Sequence, residues 1–176
     1  MCHVSYMAAE PRPFLDIELL DKLEALRGSY VVLGSSFEPM LHPDFARIVR
    51  RLTEWGCTLE MVTNGTMLEG EKLEAILAAN FARIYISFDG IRKETYEYIR
   101  RGSDHGETLR KIRNLRDRMS HRKTHFSVNS VIMRRNMGEL IEMIDYWDQA
   151  GFDSLAFIYM VSRSERPDVK IGRAHV

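Results

Sequence analysis

The 176-residue sequence is short of cysteine, of net charge and of long apolar runs, and each shortage closes off a class of function. Two cysteines, Cys2 and Cys57, cannot build a disulfide framework, so a buried core must hold the fold, and free thiols suit a reducing compartment. Lys+Arg and Asp+Glu number 25 each, so no global field draws the chain to nucleic acid or anionic lipid. The one local excess runs from Arg100 to Lys123, with nine Lys/Arg against three Asp/Glu, and reads as a solvated helix face. No apolar run approaches the roughly 18 residues of a membrane span, and the start lacks the basic and apolar regions of a signal peptide. The expectation is a cytoplasmic protein with neither membrane nor nucleic-acid partners.

What is present is a hydrophobic pattern that switches repeatedly between two periods. "DIELLDKLEALRG" predicts a helix striped by Ile17, Leu20, Leu23 and Leu26 and stopped at Gly28, and "YVVLG" a short buried strand. "HPDFARIVRRLTEWG" predicts a helix with Pro43 in its first turn and Asp44 at the positive end of its dipole. The unit recurs: strands "CTLEMVT", "ARIYISF", "THFSVNSVIM" and "SLAFIYMV" alternate with helices at "LEGEKLEAILAAN", 92–101 with 106–121, and "NMGELIEMIDYWDQAG". Strand starts near 30, 57, 82, 124 and 153 leave room for helical crossovers, which makes the strands parallel. Two α/β architectures satisfy this, an open doubly wound sheet and a complete or partial barrel, and both place function at the carboxyl ends of the strands.

Those ends read "GSSFEP" at 34–39, "TNGT" at 63–66, "SFDG" at 87–90, "VNSVIMRRN" at 128–136 and "IYMVS" at 158–162. Glu38, Thr63, Asn64, Ser87, Asp89 and Asn129 therefore converge on one mouth. Asn64-Gly65 and Asp89-Gly90 have an alternative reading as turn chemistry. As a set, polar groups gathered in a mouth need partners, and a ligand can supply them.

The series Cys2, "GSSFEPMLHPDF", "MVTNGTML", "IYISFDGIRKETYEYIRRG" and "VNSVIMRRNMGEL" resembles, in order and spacing, the core of the radical S-adenosylmethionine (radical SAM) superfamily. The resemblance implies a partial (β/α)6 TIM-type barrel and an enzyme carrying a 4Fe-4S cluster. Three cysteines of a Cys-x3-Cys-x2-Cys loop hold that cluster, and S-adenosylmethionine chelates its open iron. A flavodoxin or ferredoxin supplies the electron, and a 5′-deoxyadenosyl radical then takes hydrogen from a small-molecule or peptide substrate.

Cys2 aligns with the third cluster cysteine, which makes it a metal ligand and implies a first strand and two further cysteines upstream. Residue by residue, Glu38 accepts from the methionine amino group, Ser87 and Arg100 bind its carboxylate, and Asn129 lies near the ribose. Asn64 is a weaker member of the set. Ser35, Ser36 and Phe37 stand where two glycines precede Glu-Pro in the family, and Arg101 competes with Arg100 for its role. Cys57, at the opposite end of its strand, reads as a small buried hydrophobe.

On this reading residues 1–169 are a core fragment that runs from the third cluster cysteine through a sixth strand and is inactive by itself. The closing "IGRAHV", residues 170–176 with Lys170, reads back into a common sequencing adapter and is expected to be non-native. Two alternatives stand beside it: a cluster-free α/β barrel with a lyase or phosphate site, and a non-catalytic binding module on a degenerate barrel. Against the first, no glycine-rich phosphate loop follows the later strands.

Overall fold

A computed structural model describes residues 14–34 and 37–159 of the chain. Cys2, Ser35, Ser36, Met160 and the tail at 170–176 lie outside the described residues. Five strands form, β1 (Tyr30–Leu33), β2 (Thr58–Thr63), β3 (Phe81–Ser87), β4 (His125–Ile132) and β5 (Ser154–Tyr159). The helices are α1 (Ile17–Asp21), α2 (Phe45–Glu54), α3 (Gly70–Ala78), α4 (Lys93–Ile99), α5 (His105–Arg118) and α6 (Leu140–Gln149).

Each strand pairs in parallel with its neighbour in sequence, in the order β1-β2-β3-β4-β5. That order decides between the two architectures, because right-handed crossovers between successive neighbours all fall on one face, whereas a doubly wound sheet reverses its order midway. The sheet is the wall of a partial barrel with its helices outside. Five of the six expected strands stand among the described residues.

The alternation along each strand agrees. Leu59, Met61, Ile84, Ile86, Phe126 and Val128 are fully buried on the helix-covered face. Between them Glu60, Arg83, Tyr85 and His125 line the open face, where the Tyr30 hydroxyl donates to Glu60 Oε2 at 2.6 Å. That bond to Glu60 pushes the Tyr30 hydroxyl pKa up. Outside, α2 buries Phe45, Ile48, Val49 and Leu52, α5 buries Thr108, Ile112 and Leu115, and α6 buries Met143 and Trp147. These are the three-to-four-residue spacings of an apolar helix stripe.

Three predicted helices differ at their ends. The stretch from 16 to 28 splits into α1 and a separate 3-10 turn, Glu24–Leu26, and of its stripe only Leu20 is fully buried. The chain must turn at Gly28, whose N–H bonds the Trp55 carbonyl, so the second half of the stripe finds no core to face. Pro43 stands ahead of α2 rather than inside its first turn; there His42 Nδ1 accepts from the Asp44 N–H at 3.0 Å. The segment starting at Asn136 forms a 3-10 turn, Met137–Glu139, before α6 begins.

The basic stretch is partnered locally. Arg118 grips Glu74 with both arms at 2.7 and 3.1 Å, Arg110 pairs with Glu107, and Lys111 pairs with Glu69. Arg113 lies over the Tyr146 ring. Cys57 is buried, with its Sγ directed at the Leu26 carbonyl at 3.1 Å, as a small core residue would be.

Glycines set the strand-end turns at two places. Gly34 has φ +81°, and a Cβ there would lie 2.8 Å from the Val62 carbonyl and 2.9 Å from the Pro39 ring. This tight corner brings Glu38 back over the end of β2. Gly65 has φ +79°, and its Cβ would lie 2.8 Å from Ile112. Gly65→Ala is therefore expected to cost about 2 kcal/mol or more, a left-handed-backbone penalty with a clash added, read as a lowered urea midpoint at unchanged m-value.

Candidate functional site

The carboxyl ends of β1 and β2 are joined by one carboxylate. Glu38 opens the 3-10 turn Pro39–Leu41, and its Oε1 accepts from the Met40 N–H at 3.3 Å and from the Thr63 hydroxyl at 2.9 Å. Its Oε2 accepts from the Asn64 N–H at 2.6 Å. A carboxylate offers roughly four lone-pair sites, so one acceptor position remains. Burial pushes the Glu38 carboxyl above the ordinary glutamate value, against the downward pull of these hydrogen bonds and of the Arg100 charge. Among the described residues no cation lies within salt-bridge distance of it.

Asn64 is placed differently from a free ligand group. Its Oδ1 accepts from the Thr66 N–H at 2.9 Å and the Thr66 hydroxyl at 2.7 Å, which is a side-chain-closed turn. Its backbone N–H, not its side chain, meets Glu38.

Ser87 ends β3, and its register partner Asn129 stands inside β4, which runs on to Ile132 rather than ending there as expected; the two half-buried side chains share the open face. Arg100, just past α4, turns inward: its Nη2 lies 2.7 Å from Asp89 Oδ2, and its buried Nε has no hydrogen-bond partner. Arg101 is exposed, its guanidinium 5.9 Å from the Tyr98 ring centre. The geometry thus brings Glu38, Ser87, Arg100 and Asn129 to one mouth and leaves Arg101 outside it. The end of β3 is steadied from below by Phe88, stacked on Tyr96 at 4.3 Å and edge-on to Trp147 at 5.2 Å.

Two residues that the sequence reading passed over organise this mouth. Asn136 is fully buried; its Nδ2 donates to the carbonyls of Asp89 at 2.8 Å and Val131 at 2.9 Å, and its Oδ1 accepts from the Met133 N–H. Glu139 is buried too. Its Oε2 accepts from the N–H groups of Ile91 and Arg92, and its Oε1 from the Thr95 hydroxyl, so it caps α4 from another loop. A polar residue in the first turn of a predicted helix was the only available signal, and it does not reveal a partner more than 40 positions away.

The sequence profile described as the Radical SAM superfamily matches residues 1–157. The chain belongs to the radical SAM superfamily. This radical SAM chain is 29% identical over 135 residues to the AdoMet-dependent heme synthase of Methanosarcina barkeri, a match that covers 76% of this chain and 38% of that protein. It is 30% identical over 162 residues to a probable GTP 3',8-cyclase of Methanothermobacter thermautotrophicus, covering 91% and 52%. The chain spans about a third to a half of the length of these relatives. Among solved structures, Streptococcus suis SuiB bound to S-adenosylmethionine superposes with a TM-score of 0.69 at 11% identity, over 89% of this chain and 36% of that one. SuiB has also been solved bound to precursor peptide SuiA, with a TM-score of 0.68 over 88% and 35%.

Radical SAM proteins bind a 4Fe-4S cluster and S-adenosylmethionine, and the residues at this mouth fit the amino-acid end of the latter. A half-buried carboxylate with no cation at salt-bridge distance among the described residues calls for one, and a guanidinium engaged by one arm has donors left for an anion. An ammonium and a carboxylate on one carbon supply both. The described residues hold no group of three or more His, Cys, Asp or Glu that could bind a metal, and Cys57 is buried at the far end of its strand. Cys2, the proposed cluster ligand, lies outside them.

Proposed function

We propose that this chain is the catalytic core of a radical SAM enzyme that holds S-adenosylmethionine across the carboxyl ends of β1 to β4. Glu38 takes the amino group, Ser87 and Arg100 the carboxylate, and Asn129 the ribose hydroxyls, while Asn64 shapes the β2 turn beside them. Cys2 is one thiolate ligand of the 4Fe-4S cluster. When bound, the cluster and S-adenosylmethionine supply a 5′-deoxyadenosyl radical able to take hydrogen from a substrate. The protein's own contribution is orientation: two half-buried charged groups of opposite sign fix both ends of the amino acid.

The observation that carries this reading is the meeting, at one mouth, of the Glu38 carboxylate, which has no cation within salt-bridge distance among the described residues, with the Arg100 guanidinium, which Asp89 engages by one arm. The open, polar face of the wall accepts a peptide or a small metabolite, and a flavodoxin or ferredoxin provides the electron. No described helix is long and apolar enough to cross a membrane, in keeping with action in the cytoplasm.

In the complete protein with all three cluster cysteines present, anaerobic reconstitution with iron and sulfide, followed by dithionite and S-adenosylmethionine, is expected to yield 5′-deoxyadenosine and methionine in equal amounts. Absence of 5′-deoxyadenosine from protein holding four irons and four sulfides would overturn the assignment. The cluster-free barrel is disfavoured by the family match.

A further inference from the structure

The carboxylate end of the proposed site depends on one guanidinium, and a second side chain aims it. Asp89 Oδ2 lies 2.7 Å from Arg100 Nη2, with the two side chains only 3% and 20% exposed. Asp89 is itself anchored from β4. Its Oδ1 accepts from the Val131 N–H at 2.7 Å, and its carbonyl accepts from Asn136 Nδ2 at 2.8 Å. The following residue is held as closely: a Cβ on Gly90 would lie 2.8 Å from Thr95 Cγ2 and 3.0 Å from the Tyr96 nitrogen. The direction of the Asp89 carboxylate is thus set by the backbone of two adjacent strand ends, and solvent has almost no part in it. A buried carboxylate needs a partner, and Arg100 provides the charge. Only one arm of the guanidinium is engaged by this pair, while Nε sits buried and unpartnered. Five N–H donors in a rigid fork leave a second edge for another carboxylate.

We propose that Asp89 is a positioning residue that holds Arg100 in the orientation binding the carboxylate of S-adenosylmethionine, without touching the ligand itself. The proposal rests on the reading of Arg100 given above. It separates from a plain structural ion pair by selectivity, since a device that aims a carboxylate-binding fork matters only to ligands carrying that carboxylate.

Two probes make the test, titrated by calorimetry into the complete protein, with all three cluster cysteines, after anaerobic cluster loading. S-Adenosylhomocysteine has the amino-carboxylate and is not cleaved, and 5′-methylthioadenosine keeps the adenosyl thioether but lacks it. Asp89→Asn keeps an acceptor for the Val131 N–H at equal volume and withdraws the charge from Arg100. The Kd for S-adenosylhomocysteine is expected to rise about tenfold, the scale on which orienting partners act, with 5′-methylthioadenosine unchanged. Adding Arg100→Gln to Asp89→Asn is expected to cost less than the sum of the two single changes, because both remove one interaction.

Equal weakening of both probes, or no change in either, would overturn the proposal. If Asp89→Asn does not fold, Asp89→Glu keeps the charge and misplaces it, with the same selective loss expected and the same two outcomes against it. Arg100→Gln alone separates the two levels. Unchanged selectivity in that variant sinks the cofactor role of Arg100 and the proposal with it, whereas selective loss there with none in Asp89→Asn sinks the proposal alone.

Discussion

Replacing Glu38 with glutamine is expected to weaken S-adenosylmethionine binding by about 30- to 100-fold while leaving the fold intact. The loss follows from the removal of a charge-assisted hydrogen bond to an ammonium, worth about 2–3 kcal/mol where it is sheltered from water. The fold survives because a glutamine amide satisfies the same neighbours. Its oxygen can accept from the Asn64 N–H, and its nitrogen can donate to the Thr63 hydroxyl, which already accepts from the Gly65 N–H and has a lone pair to spare. The 3.3 Å contact with the Met40 N–H is given up, and the Thr63 O–H, which donates to Glu38, must turn to another acceptor. Calorimetry beside a urea unfolding curve checks both halves, and an unchanged affinity would remove Glu38 from the site.

The same residue sets a pH dependence. Burial raises the Glu38 pKa, so the carboxylate begins to protonate at a higher pH than an ordinary glutamate. Affinity for S-adenosylmethionine should fall as the pH drops through that raised value, and Glu38→Gln should flatten this part of the profile. For the ligand-free protein the sign runs the other way. The folded state holds this proton more tightly than the unfolded chain, so its contribution to stability grows as the pH falls from the raised value toward the ordinary one and is lost as the pH climbs.

The largest stability effect is expected at Glu139. Glu139→Ala leaves the N–H groups of Ile91 and Arg92 and the Thr95 hydroxyl without their acceptor, and uncaps α4. With unmet buried donors costing about 1–3 kcal/mol each, the change should remove about 3 kcal/mol or more, measured as the urea midpoint shift. Glu139→Gln keeps one acceptor oxygen and should recover part of the loss. A midpoint shift below about 1 kcal/mol for the alanine variant would show that water replaces the carboxylate at the start of α4.

Glu139 also illustrates what the sequence could not show. The strands were legible because their apolar runs and helical spacers are local patterns, and the carboxyl-end rule then gathered Glu38, Ser87, Asp89 and Asn129 without any knowledge of contacts. The choice between a barrel and a doubly wound sheet was not legible in periodicity, since both use the same alternation of elements; strand order decided it. Arg100 and Arg101 are indistinguishable as letters. They separate because the first residue past α4 lies beside the buried Asp89, and the next points to solvent. Asn64 looked like a ligand group and also like a turn, and its Oδ1 bonds to Thr66 are those of the turn. Asn136 and Glu139 escaped because the partners they tie in, Asp89 at the end of β3 and the start of α4, stand at sequence distances over which no pattern carries information.

The succession of strands in chain order has a consequence for how the protein is made. Among the described residues each strand pairs with its neighbours in chain order, the one synthesised before it and the one synthesised after it. A growing polypeptide can therefore lay down the wall as it emerges from the ribosome, every new strand finding its neighbour already in place and none waiting for a distant segment.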